Sequence, residues 1–444
     1  MLDIWPPLPM IIVGSDDPKP LMGGADNILA ALEHVDRVRH INFDDIPSPL
    51  LEKFTAAMRK SFPALTVLRI SSSDEWTPIL PDSFLGGSAP HLRSLYMRGI
   101  PFPATARLLY STLDLVKLDL SDIPDSGYIS PEAMVICLST LTRIQELHLG
   151  FRSPHSRPDL SDRHPPPPTR IVLPSLTSLT FQGVSDYFEA LVSRIDTPLL
   201  DIITIIFFNQ LVFDIVHLPR FISRLEKIDT FDQADVVFGK YSVELKLSLR
   251  TGTLEPRRLA LEIACEESDW QVSSLAQVCR SLLPLSTSGF TLGWLYLREH
   301  QDQRPHWQDD MENGQWLELF HSFSEVKNLY LSEEVARRVA PALQDLSGET
   351  VSHVLPSLEN LFLEGRQPSG KVQEAIRQFV TMRQLSGYPV AVHVGQEGPD
   401  AHRLDEPTIP SKVTVGATVQ ASTLPEPELY GPTVAVHVGN EMLW

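Results

Sequence analysis

The chain has 444 residues, 43% of them apolar and 21% charged, with 37 prolines and three cysteines. That is enough apolar material for a continuous core, which excludes wholesale disorder, and enough length for about two to four domains or one long repeat array. Lys and Arg number 37 against 56 Asp and Glu, a formal charge of −19, and no run of even four basic residues occurs. DNA, RNA and anionic membrane surfaces are therefore poor partners.

Residues 1–23 read as an N-terminal segment or cap. The opening Met1-Leu-Asp-Ile-Trp-Pro-Pro has an acid and prolines but no basic stretch, so it does not read as a secretory signal. From residue 24 to 395 the string L-x-x-L-x-L recurs, with any large aliphatic residue or Phe allowed. Its middle positions are Ile41, Leu68, Leu95, Leu118, Leu147, Leu179 and Ile203, then Leu295, Leu329 and Leu361. Steps between them are 27, 27, 23, 29, 32 and 24 residues in the first block, and 34 and 32 in the last. Each string is short and alternating, the pattern of one strand.

Helical patterns fill the spaces. In residues 49–62, Leu50, Leu51, Phe54, Ala57 and Met58 share one face. Ser130 followed by Pro131 is an N-cap and N1 pair that opens a helix to about Leu138. Further helices are expected over 270–283 and 333–346. Strand, turn, helix and return make a leucine-rich-repeat unit, so the expected fold is α/β: a curved, right-handed solenoid of strand–helix repeats, each about 23–34 residues long. The segment 206–291, with strand-like pieces at 234–238, 241–249 and 258–265, reads as degenerate repeats that continue it.

Two segments stand outside the pattern. The polar, Pro-rich insertion 153–170 reads as an exposed loop. Within it Pro165, Pro168 and Arg170 fit P-x-x-P-x-R, a ligand pattern for polyproline-binding domains, although such strings also arise by chance in Pro-rich loops. The tail 396–444 is rich in Pro, Thr and Gly and is expected to be loosely ordered. It carries a duplication: Val390-Ala-Val-His-Val-Gly395 recurs as Val434-Ala-Val-His-Val-Gly439.

In such an array, residues flanking and between the last two apolar positions point away from the core, into the groove. In the last three repeats these are Trp294, Tyr296 and Arg298, then Asn328 and Tyr330, then Asn360, Phe362 and Glu364. Four aromatics and an Arg on neighbouring strands are the residue types of protein-binding hot spots, so these eight are the candidate partner-binding residues. The competing reading packs the same aromatics beneath a C-terminal cap.

No hydrolase, nucleotide-binding or zinc-protease motif occurs, and an enzyme is not expected. No catalytic residue, metal or cofactor is assigned. His300, Asp302, His306, Asp309 and Asp310 have metal-friendly side chains but spacings that fit no closed site. Cys137, Cys265 and Cys279 without a C-x-x-C pair read as reduced thiols, which places the chain in the cytoplasm or nucleus.

The stretches 24–38, 80–104 and 126–151, with FNQLVFD at 208–214 and DWQVSSLAQVC at 269–279, resemble a family of mushroom-type fungal F-box-like leucine-rich-repeat proteins. The resemblance spans roughly residues 5–395. It implies the substrate-recognition part of a ubiquitin-ligase adaptor, with cullin-RING components as partners if an F-box is supplied elsewhere. Repeats that begin near residue 24 leave no room for an F-box ahead of them. The expectation is thus a monomeric protein-binding module with neither nucleic acid nor membrane as a partner. A repeat scaffold unrelated to ubiquitination is the alternative.

Overall fold

The computed structural model describes residues 8–14, 18–102, 107–153, 170–225, 231–249, 258–283, 292–308, 313–346, 353–365, 370–395 and 434–437. Each L-x-x-L-x-L string contributes one strand to a large sheet, sixteen-stranded among the described residues. Strands Val38–Phe43, Val67–Ser71, Ser94–Arg98, Lys117–Ile123, Glu146–Phe151, Ser178–Gly183 and Ile202–Phe208 lie side by side in chain order, all parallel. The sheet ends on Trp294–Glu299, Asn328–Leu331, Asn360–Leu363 and Ala391–Val394, again parallel and in order. This mixed α/β architecture with a large parallel sheet fits a leucine-rich-repeat solenoid.

Register follows the leucines. Ile41, Leu68, Leu95, Leu118, Leu147, Leu179 and Ile203 face one another strand to strand, and each is at most 2% exposed. A one-residue slip anywhere would turn a whole strand's apolar set toward water, so the buried face itself specifies the pairing. Helices cover this face. Ser48–Ala57 buries Leu50, Leu51 and Phe54, the last against Phe43 at 4.9 Å between ring centroids. Ser130 caps Pro131–Thr140 as expected, its hydroxyl accepting from the Ala133 N–H at 3.2 Å. The helices expected over 270–283 and 333–346 form as Ser268–Leu282 and Glu333–Gln344.

Three expectations change. The array does not begin at residue 24: Met10–Gly14 already pairs in parallel with Val38–Phe43 and buries Met10 and Ile12. The segment 206–291 does not hold degenerate repeats. Gln233–Phe238, Ser242–Ser248 and Arg258–Ala264 form an antiparallel meander inserted in reverse chain order, so that Arg258–Ala264 pairs with Ile202–Phe208 and Gln233–Phe238 with Trp294–Glu299. Only three residues separate the first two of these strands, and a parallel crossover needs about a dozen. The core row nevertheless runs straight through: Ile203, Leu259, Leu247, Ala234 and Leu295 are in register, all 2% exposed or less.

The third change concerns the tail. Residues 396–433 and 438–444 lie outside the described residues, but Val434–His437 is a strand, paired in parallel with Met10–Val13 at the N-terminal edge. Pro165, Pro168 and the rest of 154–169 also lie outside the described residues.

Candidate functional site

On the face opposite the core row, in-register residues form rows across the sheet. In the first block the middle row carries Arg69, Tyr96, Asp119, His148 and Thr180. It is polar and tied together across strands: His148 Nδ1 lies 3.2 Å from Asp119 Oδ2, and Lys117 reaches Glu146 at 2.8 Å one position away. Burial, and then the charge of Asp119, push the Tyr96 phenol above its ordinary value.

In the last block the same row reads Tyr296, Tyr330, Phe362 and His393. Their rings form a continuous stack with Trp294. Trp294 lies 5.9 Å from Tyr296 and 5.5 Å from Phe362, Tyr296 lies 5.5 Å from Tyr330, and Phe362 lies 4.7 Å from His393. The sequence thus places its four aromatics together, as expected. They are not equally open, however. Tyr296 and Tyr330 are 8% and 6% exposed, whereas Trp294, Phe362 and His393 are half-buried. The two tyrosines are thus the buried base of the cluster, and Trp294 and Phe362 its accessible surface.

The polar candidates are engaged within the chain. Asn360 donates to Asn328 at 2.9 Å and Asn328 donates to the Gly293 carbonyl at 3.2 Å. His393 Nε2 lies 3.3 Å from the Asn360 side-chain oxygen. This ladder runs in the row of Trp294, next to the row of Tyr296, Tyr330 and Phe362. Arg298, one of the candidate partner-binding residues, holds Asp235 through two bonds of 2.9 and 2.5 Å. Burial disfavours the guanidinium's charge, but the bond to Asp235 and its charge outweigh this and raise Arg298 above its ordinary value. Glu364 is exposed beyond the end of its strand.

Sequence reasoning missed the groups beside this stack. Asp235, with a side chain 3% exposed, comes from the meander, as do Lys246, Glu244 and Glu262. Lys246 pairs with Glu244 at 2.8 Å, and Glu262 lies opposite Glu244. Burial first, with Glu244 adding to it, pushes the Glu262 carboxyl above the usual range. Glu299 is raised by burial and then by the neighbouring charge of Glu334, with Glu364 contributing. The meander therefore sets a mixed group of charges, Asp235 held by Arg298 and Glu244 held by Lys246, beside the strand that carries Trp294 and Tyr296. The signal for this was present: Glu244, Lys246 and Glu262 occupy the polar half of alternating strands.

Other sequence candidates do not assemble. Arg170 is exposed but donates to the Ser193 carbonyl at 3.2 Å. The His300 ring accepts two backbone N–H groups of its own turn, from Asp302 and Gln303; Asp309 and Asp310 lie outside the described residues. Among the described residues no group of three or more His, Cys, Asp or Glu could hold a metal, and no helix is long and apolar enough to cross a membrane. The three cysteines are buried free thiols, each pushed up by burial.

No protein-family model matches the chain, and no curated protein matches its sequence. Among solved structures it is similar to the leucine-rich-repeat-containing protein LegL7 from Legionella pneumophila, at 12% identity and a TM-score of 0.27 over 83% of this chain and 97% of that one.

Proposed function

We propose that this chain is a protein-recognition module and not an enzyme, that its array is curved, and that the face bearing the aromatic stack is the concave one. The observation that carries this reading is the half-exposed pair Trp294 and Phe362, stacked at 5.5 Å, with Trp294 also against the buried Tyr296. Trp and Phe held rigid by neighbours lose little entropy on binding and remove much apolar area from water. Replacement of Trp294 or Phe362 by Ala should weaken partner capture by about 1–3 kcal/mol, or roughly 5- to 150-fold, while the fold stays intact. Partners retained equally by wild type, Trp294→Ala and Phe362→Ala would place recognition elsewhere.

The narrower reading is that the module selects substrates for an F-box-like ubiquitin-ligase adaptor. It rests on the resemblance of the stretches 24–38, 80–104 and 126–151. Co-purification with adaptor and cullin subunits tests it. Partner capture without those subunits would favour a repeat scaffold outside ubiquitination.

A further inference from the structure

The duplicated hexamer occupies both ends of the sheet. Its first copy supplies Ala391–Val394, paired with Asn360–Leu363 at the C-terminal edge. Its second supplies Val434–His437, paired with Met10–Val13 at the N-terminal edge. We propose that the outer edge of Ala391–Val394 docks on the Met10–Gly14 strand of a second copy of this chain, head to tail, and that Val434–His437 is an internal cap that competes for the same edge.

Hydrogen-bond polarity carries the inference. In a parallel ladder, alternate residues bond to opposite sides, and each bonds to the neighbours of the residue opposite it. Met10 donates to Arg37 and Gly14 accepts from Asp44, so even positions of this strand serve the inner neighbour and Ile11 and Val13 face outward. Ile11 stands opposite Ala435, which directs the N–H of Val436 toward it. At the other end, Ala391 donates to Glu359 and Gly395 to Leu363, so Val392 and Val394 are the residues with outward N–H groups. Val392 is the hexamer counterpart of Val436. The edge of the motif that the second copy turns toward Met10–Val13 is therefore the edge that the first copy leaves open among the described residues.

Backbone register agrees as well. Val436 stands opposite Ile12, and Val392 opposite Leu361, two buried members of the core row. Docking the first copy on another chain would continue that row from molecule to molecule. The core is also unfinished at this end. Val392 and Val394 are each 38% exposed, and a cavity of about 280 Å³ opens between them and Leu363, Ile376 and Val380. An open, apolar parallel edge is a template for another strand unless something covers it.

The test uses the full chain. Proline at 436 removes the N–H that faces Met10–Val13, and proline at 392 removes an outward N–H without touching the bonds to Asn360–Leu363; edge strands tolerate both. The wild type should sediment as a single chain. Val436→Pro should show a mass that rises with concentration toward dimers and longer assemblies. Adding Val392→Pro should return it to the single-chain mass. A cysteine trap reads the geometry independently: Val13→Cys and His393→Cys, placed in separate Val436→Pro chains and mixed, should form an interchain disulfide, since the proposed register sets these positions opposite one another. The proposal is overturned if Val436→Pro stays a single chain at every concentration, if the double proline variant still associates, or if the mixed cysteine chains do not cross-link.

Discussion

The first block of strands, Val38–Phe43 to Ile202–Phe208, and the last, Trp294–Glu299 to Ala391–Val394, share one core row and carry opposite chemistry on the other face. In the first, exposed pairs such as Arg98–Asp122 at 2.7 Å and Lys117–Glu146 at 2.8 Å span adjacent strands. In the last, five rings make a continuous chain of contacts beside an asparagine ladder. The backbone and the buried leucines are the same device in both. The face opposite is free to vary because alternate side chains never meet the core. Between them the meander shows how little the core asks of connectivity: chain order reverses, strand direction alternates, and the apolar row is kept.

The comparison breaks most forcefully at the shared row. Leu118→Ala and Leu329→Ala should each cost about 2–5 kcal/mol, since both leucines are at most 1% exposed. In a repeat array each unit leans on its neighbours, so the damage stays local. Hydrogen exchange should accelerate around Ser94–Arg98 and Glu146–Phe151 in the first variant and around Trp294–Glu299 and Asn360–Leu363 in the second. Equal acceleration everywhere would mean one cooperative unit.

Next in size are the ion pairs. Asp235→Ala removes the partner of Arg298 from a site where the Asp side chain is 3% exposed, and should cost about 3 kcal/mol. Asp122→Ala breaks the singly bonded pair with Arg98 in the first block, where both side chains are about a third exposed or more, so the cost should be about 0–1 kcal/mol. Denaturant midpoints of the two variants, at unchanged m-value, measure this directly. Similar losses would mean that burial does not separate the two blocks.

The core row was legible from sequence because burial on a strand has period two and the leucines repeat at nearly constant spacing. The Ser130 cap was legible because only a few side chains can accept from the N3 amide. Strand direction in the meander was not, since SVELKLS alternates identically read either way. The signal that was overlooked is distance: Gly239, Lys240 and Tyr241 leave room for a hairpin and nothing more, and Gly239 donates to the Ser242 carbonyl at 2.8 Å. At the candidate site, the sequence placed the four aromatics on one face but could not rank their exposure. That depends on which ring lies over which, a property of register between repeats 32–34 residues apart.

The ranking makes a smaller prediction within the last block. Tyr330→Ala, at the base of the stack, should cost about 2 kcal/mol of stability through lost apolar burial and ring contact. Phe362→Ala, at the surface, should cost about 1 kcal/mol or less of stability, and its effect should fall on partner binding instead. Thermal unfolding and binding measured on the same two variants separate base from surface. Two variants that lose stability equally would show that the stack is a structural cap throughout.

The smallest effect sharpens the meander's place between the blocks, and its sign is fixed by Glu262. Burial holds this carboxyl above the ordinary value of 4.5, with Glu244 adding to the shift and Ser242 and Lys246 opposing it. A folded-state value above the unfolded one means that the folded chain binds the proton more tightly. The contribution to stability is then fully present below the ordinary carboxylate value and is lost as pH rises through the raised one. At neutral pH Glu262 is a charge held in a half-buried place, where an uncharged side chain of the same shape suits better. Glu262→Gln should therefore be slightly more stable than wild type at pH 7 to 8. The difference should shrink as the pH is lowered toward the ordinary carboxylate range, because the wild-type carboxyl is neutral there too. Glu189, buried and also raised by burial, and Glu299 titrate with the same sign in both proteins and cancel in the comparison. A stability difference that is independent of pH would mean that Glu262 acts through packing and not through its charge.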